Sequence, residues 1–273
     1  MDSGQPDLSR LSLNQMSTNT RTLEETVEAC SRQGIRWLGA WRHKIEKSPT
    51  AAGQLIRSAG LRVSSLCRGG MFPAASVQER RNRIEDNFRA IDEAVALGTD
   101  LLVLVNGAAP GRDLDGARIM VAEGIEAILP YARECSVRLG IEPLHPMFAG
   151  DRSVIVTLQQ ANDLAEAFDR EWVGVILDVY HVWWDPNVYT EISRCGNRIF
   201  GFHVSDWLVP SPGMLMERGL MGQGVIEIHR LRRAVEAAGF DGPIEVEIFN
   251  EQLWQTPIDD AIRLIQDAYL NFV

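Results

Sequence analysis

The chain has 273 residues, 45% of them hydrophobic and 23% charged, which is the balance of an ordinary globular protein with room for one large core. With 37 acidic against 27 basic residues the formal net charge is −10, so phosphate backbones and anionic lipid surfaces are poor partners. Cys30, Cys67, Cys135 and Cys195 lie far apart without a Cys-x-x-Cys pair, which predicts buried thiols and no disulfide framework.

The N-terminal MDSGQPDLSR is polar and acidic and lacks the basic and apolar segments of a signal peptide. No apolar run approaches the ~18 residues needed to span a bilayer. A cytoplasmic protein without membrane contact is expected.

In chain order, short apolar runs alternate with helical patterns eight times. Strands are expected over 11–16, 35–41, 61–68, 101–106, 137–142, 173–178, 199–204 and 244–248. Nearly continuous apolar runs such as Leu101-Leu102-Val103-Leu104-Val105 suit parallel strands buried on both faces. Between them, Ile84, Phe88, Ile91 and Val95 form one helical stripe, and Ile258, Ile262, Ile265 and Tyr269 form another. Thr22 with Glu25 and Thr157 with Gln160 have capping-box spacing, and Thr256-Pro257 places proline at a first helical position.

Eight alternations fit a closed barrel or an open doubly wound sheet. No Gly-x-Gly-x-x-Gly follows the first strand, which removes the main support for a dinucleotide-binding sheet. The expectation is a single-domain α/β (β/α)8 barrel over residues 1–273, a fold typically built from roughly 250 residues.

The chemistry-bearing residues gather at the C-terminal ends of strands five to eight: Glu142, Asp178, His203 and Glu247. In a barrel these ends are neighbours on the rim that carries active sites. Buried carboxylates repel one another unless paired or joined by a cation. Three carboxylates and one imidazole suit one divalent ion, with Mn2+ favoured and Mg2+ or Co2+ possible occupants. Glu245 and Glu247 compete for the last position; the expectation puts them on opposite faces of the strand and selects Glu247, nearer the rim.

His145, three residues beyond Glu142, is an imidazole whose ordinary pKa near ~6.5 suits a general base. Arg42, His43 and Arg68 follow strand ends, where they either reach substrate hydroxyls or a phosphate or are solvated loop residues. Five of the seven tryptophans, Trp41, Trp183, Trp184, Trp207 and Trp254, follow closely on strand ends, where aromatic rings stack on sugar faces or flat rings. His229, beside Arg230 in a helical stretch, is expected at the surface.

Glu142-Pro143-Leu144-His145-Pro146, Leu177-Asp178-Val179-Tyr180-His181, and His203 followed by Arg218-Gly219 and Gly222-Gln223-Gly224, with Glu247 after them, resemble the xylose-isomerase-like barrel superfamily and its ketose 3-epimerase and sugar-phosphate isomerase/epimerase branch. The resemblance covers the second half of the chain well and the first half in general organisation. It implies Glu142, Asp178, His203 and Glu247 as metal ligands, His181 and Arg218 as substrate contacts, and Glu142 with Glu247 as the acid–base pair. Arg68 and Trp41 join the expected substrate wall.

The family's Asn-Arg is replaced here by His145-Pro146. That departure and the tryptophans put the elimination chemistry of C-glycoside deglycosidases, which resemble this superfamily in their larger subunit, marginally ahead of isomerisation or 3-epimerisation. In that reading His145 is the base that removes the proton beside the carbonyl of a 3-oxo-glycoside, while Glu142 and Glu247 are the acid–base pair of the epimerase reading. Relatives imply a homo-oligomer, or a hetero-oligomer with a smaller subunit, acting on a small sugar or glycoside. A DNA-repair endonuclease of the same superfamily conflicts with five histidines and a charge of −10. A non-catalytic sugar-binding barrel is the remaining alternative.

Overall fold

A computed structural model describes residues 7–45, 48–211, 213 and 215–273. The first residues of the stretch read above for a targeting signal, 1–6, lie outside the described residues. Among the described residues no helix is long and apolar enough to cross a membrane.

Eight parallel strands close into a barrel in sequence order: β1 (Leu11–Asn14), β2 (Trp37–Trp41), β3 (Arg62–Gly70), β4 (Leu101–Val105), β5 (Arg138–Glu142), β6 (Val173–Asp178), β7 (Ile199–Val204) and β8 (Ile244–Val246). All eight expected strands are present, most of them trimmed by one or two residues, with β3 extended to Gly70. Helices follow the strands and form the outer layer, the longest being Val77–Leu97, Leu114–Glu134 and Ile258–Phe272. Most of the apolar core lies between this layer and the outer barrel surface.

The barrel interior is narrower and holds Cys67, Leu101, Val103, Ile176 and Phe200 in a cluster of its own. Ile176 fills it only because Gly140 and Gly201 face it; a Cβ at Gly140 would lie 2.5 Å from Ile176 Cδ1 and one at Gly201 2.9 Å. This small-against-large packing seals the lower barrel and leaves the upper layer to polar side chains.

Three local expectations shift. In the helix Val77–Leu97 the buried face is Asn87, Ala90, Ile91, Ala94 and Leu97, while Val95 is 51% exposed. Small residues let this helix sit close to the strands. Ile84 and Phe88 lie toward the next helix, where Phe88 meets Tyr131 edge-on at 5.4 Å. Thr22 and Glu25 form the full capping box, but Gln160 reaches back to the Val156 N–H at 2.9 Å instead of its own cap residue. Pro257 is the cap of the last helix and not its first residue. Ile262, Ile265 and Tyr269 are buried along that helix as the periodicity requires. His229 is exposed, its ring nitrogens against the Val273 and Asn271 carbonyls.

Candidate metal centre

Strand register brings the four candidate ligands together. Asp178 pairs with His203 across β6 and β7, and His203 pairs with Glu245 across β7 and β8. Glu142 closes β5 against Val105. Glu247 lies one layer higher, its N–H bonded to the Val204 carbonyl at 3.1 Å. Residues two apart in a strand return to the same face, so Glu245 and Glu247 both point into the barrel; the expectation of opposite faces is wrong. Asn14 shows it directly, donating from Nδ2 to Glu245 at 2.6 Å and to Glu247 at 3.1 Å.

Glu142, Asp178, His203 and Glu247 are all buried, and one ligand atom from each lies within 4.8 Å of the others. A cation with metal–oxygen bonds of ~2.0–2.2 Å sets opposite ligands about 4.4 Å apart, so a contraction of a few tenths of an ångström closes the cage. Neither ring nitrogen of His203 has a hydrogen-bond partner, although both are buried. Its Nδ1 stands 3.6 Å from Glu142 and its Nε2 3.8 Å from Glu245. Orphaned buried nitrogens are rare because they forfeit solvation, and a metal bond at Nδ1 satisfies one of them. The residues therefore fit one divalent ion.

Arg218 supplies the positive charge inside the cluster. It is 2% exposed, with Nη1 2.8 Å from Asp178 Oδ2 and 3.2 Å from Glu247 Oε2. Tyr180 and Phe249 sandwich the guanidinium at 4.4 and 4.8 Å. The loop that delivers it is gathered by Asp206, whose carboxylate accepts the N–H groups of Trp207, Gly222, Gly224 and Ile226. A Cβ at Gly224 would sit 2.1 Å from the Trp207 carbonyl, so the spacing of the Gly-x-Gly pair follows from this turn.

Burial pushes the Glu247 carboxyl up to about 8 and raises Glu142 as well. Burial would also raise Asp178, but Arg218 beside it, with His181 and His203, holds it below the ordinary carboxylate range. Burial opposes a charged His203, yet Glu245 and the neighbouring carboxylates lift it to about 10. Burial drives His181 down to about 3, so it is neutral. Its Nδ1 lies 3.2 Å from the His145 N–H, and its Nε2 lies 3.3 Å from Arg218 Nη2.

These shifts give a prediction with a definite sign. The folded metal-free chain holds protons on Glu247 and His203 above their ordinary values of 4.5 and 6.5, so these groups lose stability as pH rises toward about 8 and about 10 respectively. Ligation needs both groups deprotonated and releases those protons. The rise in Tm on adding saturating Mn2+ should accordingly be larger at high pH than at low pH within the range where the barrel is folded. Calorimetric scans with and without metal read this difference, and an equal or inverted rise counts against it.

A cavity of about 420 Å³ opens above the cluster, and its lining includes Glu142, Glu247, His181, Arg218, Arg68 and Trp41. The expected substrate contacts thus converge with two of the ligands. Phe148 and Phe249 line the cavity too. His145 does not: its ring lies against Trp207 at 5.0 Å and Trp184 at 5.6 Å, and its Nδ1 accepts the Met147 N–H at 3.2 Å. Pro146 begins a short turn that carries His145 aside. Among the described residues Trp41 is the tryptophan that lines the cavity; Trp183 packs on Trp207, Trp184 and Trp207 pack on His145, and Trp254 is buried against Met16 and Phe249.

Sequence reasoning missed Asn14, which also accepts Trp41 Nε1–H at 2.9 Å, and the role of Glu245. Glu245 is held by Asn14, Ser64 at 2.8 Å and Ser65 at 2.9 Å, and a Cβ at Gly39 would fall 2.0 Å from its Oε1. It stands behind the Nε2 side of His203, where an outer carboxylate orients a ligating imidazole. Glu245→Gln should weaken divalent-metal affinity by ~10–100-fold, the range for outer partners of a ligand. Metal titration of the folded variant measures it, and unchanged affinity would remove Glu245 from the site.

The fold agrees with comparisons to known proteins. A family model described as xylose isomerase-like TIM barrel matches residues 25–268. A curated 3-dehydroshikimate dehydratase of Pseudomonas aeruginosa is 26% identical over 86% of this chain, which spans only 37% of that relative's length. An inosose isomerase of Halalkalibacterium halodurans is 23% identical over 54% of this chain and 53% of its own. Protein SMc04130 from Sinorhizobium meliloti 1021 has a solved structure that superimposes with a TM-score of 0.94 at 45% identity, covering 97% of this chain and 98% of that one. The solved IolI protein with a bound zinc atom shares the fold at a TM-score of 0.81 and 19% identity, over 96% and 97% of the two chains. The chain belongs to the xylose isomerase-like TIM barrel family.

Proposed function

We propose that the chain is a divalent-metal-dependent enzyme that removes the proton beside a carbonyl of a sugar-like substrate. The observation that carries this reading is the convergence of four buried ligands with a cavity into which Glu142 and Glu247 both open. A bound divalent ion supplies Lewis acidity where negative charge develops on the substrate carbonyl oxygen. The oxygen-rich ligand set favours Mn2+ over Zn2+ for this work.

Glu142 and Glu247 both line the cavity, where a carboxylate can take a proton from the substrate. Neutral His181 lines the cavity, and Arg218 holds Asp178 and Glu247 in place. The proton-abstracting role expected of His145 passes in this reading to the two carboxylates. Tyr180, Phe249 and Trp41 keep bulk water from the guanidinium and the rim.

Elimination is the leading outcome: after proton loss a substituent leaves the neighbouring carbon. The match to a dehydratase over most of this chain supports it. The narrower form, carbon–carbon cleavage of a 3-oxo aryl C-glycoside, has Trp41, Phe148 and Phe249 as its aromatic wall. Isomerisation or 3-epimerisation is the second reading, favoured by two carboxylates on one cavity, since one can take a proton and the other return one. The assembly is proposed to exceed a monomer, and light scattering showing a fully active monomer would refute that.

The test is turnover on a free ketose and on a 3-oxo aryl C-glycoside in D2O. Isomerisation or epimerisation returns deuterium beside the carbonyl, whereas elimination leaves that carbon unsaturated, so label and product together separate the two outcomes. Dialysis against a chelator should abolish turnover, and Mn2+ should restore it better than Zn2+. Undiminished turnover after confirmed metal loss overturns the reading.

A further inference from the structure

A second cavity of about 390 Å³ adjoins the first, and Trp41 and Arg68 stand in the wall common to both. Arg42, Arg83 and Asp86 also line it. Asp86 is the acid of this lining, and it is already engaged. Its two oxygens take Arg42 at 2.8 and 3.1 Å, and one of them takes Arg89 at 3.1 Å. Arg42 is matched further by Glu93 at 2.6 and 2.9 Å. Among the described residues, the side chains of Arg68 and Arg83 have no hydrogen bond or ion pair.

The fold holds these two cations at one cavity. Asn87 accepts the Gly70 N–H at 2.6 Å and donates to the Gly70 carbonyl at 2.8 Å, which pins the helix carrying Arg83 to the end of the strand carrying Arg68. Both are exposed and solvated by water, and an anion in this cavity would replace that water with charge-assisted hydrogen bonds from two guanidiniums. The chain has ten more acids than bases and still leaves these two without an acidic partner.

We propose that this side cavity holds the phosphate group of a phosphorylated carbonyl substrate, gripped by Arg68 and Arg83, while the carbonyl end reaches the adjoining metal centre; the inference rests on the function proposed for that centre. One planar guanidinium satisfies a carboxylate, whereas two match the charge and the three terminal oxygens of a phosphate monoester. A neutral aryl glycoside leaves both cations unmatched, so this narrows the substrate toward a sugar phosphate.

Inorganic phosphate, titrated calorimetrically into the full chain stripped of metal, tests the site without any assay of turnover. Saturable binding is expected, weakened ~10-fold or more by Arg68→Gln and by Arg83→Gln, as for loss of a hydrogen bond to a charged group. Acetate at the same concentrations should not bind. No saturable binding by the unaltered chain, an affinity in both variants unchanged from it, or acetate binding as tightly as phosphate would each overturn the proposal. Metal uptake measured on the same samples separates the two readings: phosphate binding without metal uptake sinks the catalytic reading alone, and metal uptake without phosphate binding sinks this one alone.

Discussion

Arg218→Met is expected to cost the metal-free protein about 3–5 kcal/mol of folding stability, the range for deleting one partner of a buried ion pair. The guanidinium is 2% exposed and is the nearest cation to Asp178 and Glu247, at 2.8 and 3.2 Å. Its loss deprives the buried Asp178 and Glu247 of their nearest cation, and it empties the space between Tyr180 and Phe249. A divalent ion in the cluster takes over much of that neutralisation. Urea unfolding in chelator should therefore show the full loss, and unfolding with saturating Mn2+ a smaller one. A loss under ~1 kcal/mol in chelator, the value of an exposed pair, contradicts the role assigned to Arg218, and so does the same loss with and without metal.

The largest loss of turnover from a conservative change is expected at Glu247. Glu247→Gln keeps a neutral oxygen for the metal but cannot take a proton, so at saturating Mn2+ turnover should fall ~10²–10⁴-fold, the usual share of a general base. His145→Ala is the companion measurement. Its ring lies against Trp207 and Trp184 and outside the cavity lining, so turnover should stay within ~10-fold, because only groups that meet the transition state lower its energy. Metal content should be unchanged in that variant. The reverse ranking, with His145→Ala costing the larger factor, would return the base to His145.

The barrel was legible because strands buried on both faces leave nearly continuous apolar runs, and all eight can be read from them. The ligand cluster was legible because Glu142, Asp178 and His203 each end or nearly end such a run, where no packing role explains an ionisable group. What the sequence hid depends on three-dimensional direction. Alternation along β8, correctly applied, puts Glu245 and Glu247 on one face, but only the closed register shows Glu245 behind His203. Arg218 comes from an irregular loop, and its place inside the cluster follows from the four N–H groups gathered by Asp206. Closeness to Glu142 in sequence said little about His145, because the turn at Pro146 carries its ring to the tryptophans. Val95 fell outside the core because a helix against a barrel packs on small residues, and a stripe of large ones marks the seam with the next helix.

The central claim is that Glu142, Asp178, His203 and Glu247 hold one divalent ion. Calorimetric titration of the metal-stripped full chain with Mn2+, repeated with His203→Ala and Asp178→Ala, tests it most directly. The account predicts a single saturable site, and in each folded variant a weakening beyond the ~10–100-fold attached to outer partners. No saturable binding by the unaltered chain, or an affinity in both variants unchanged from it, would contradict it.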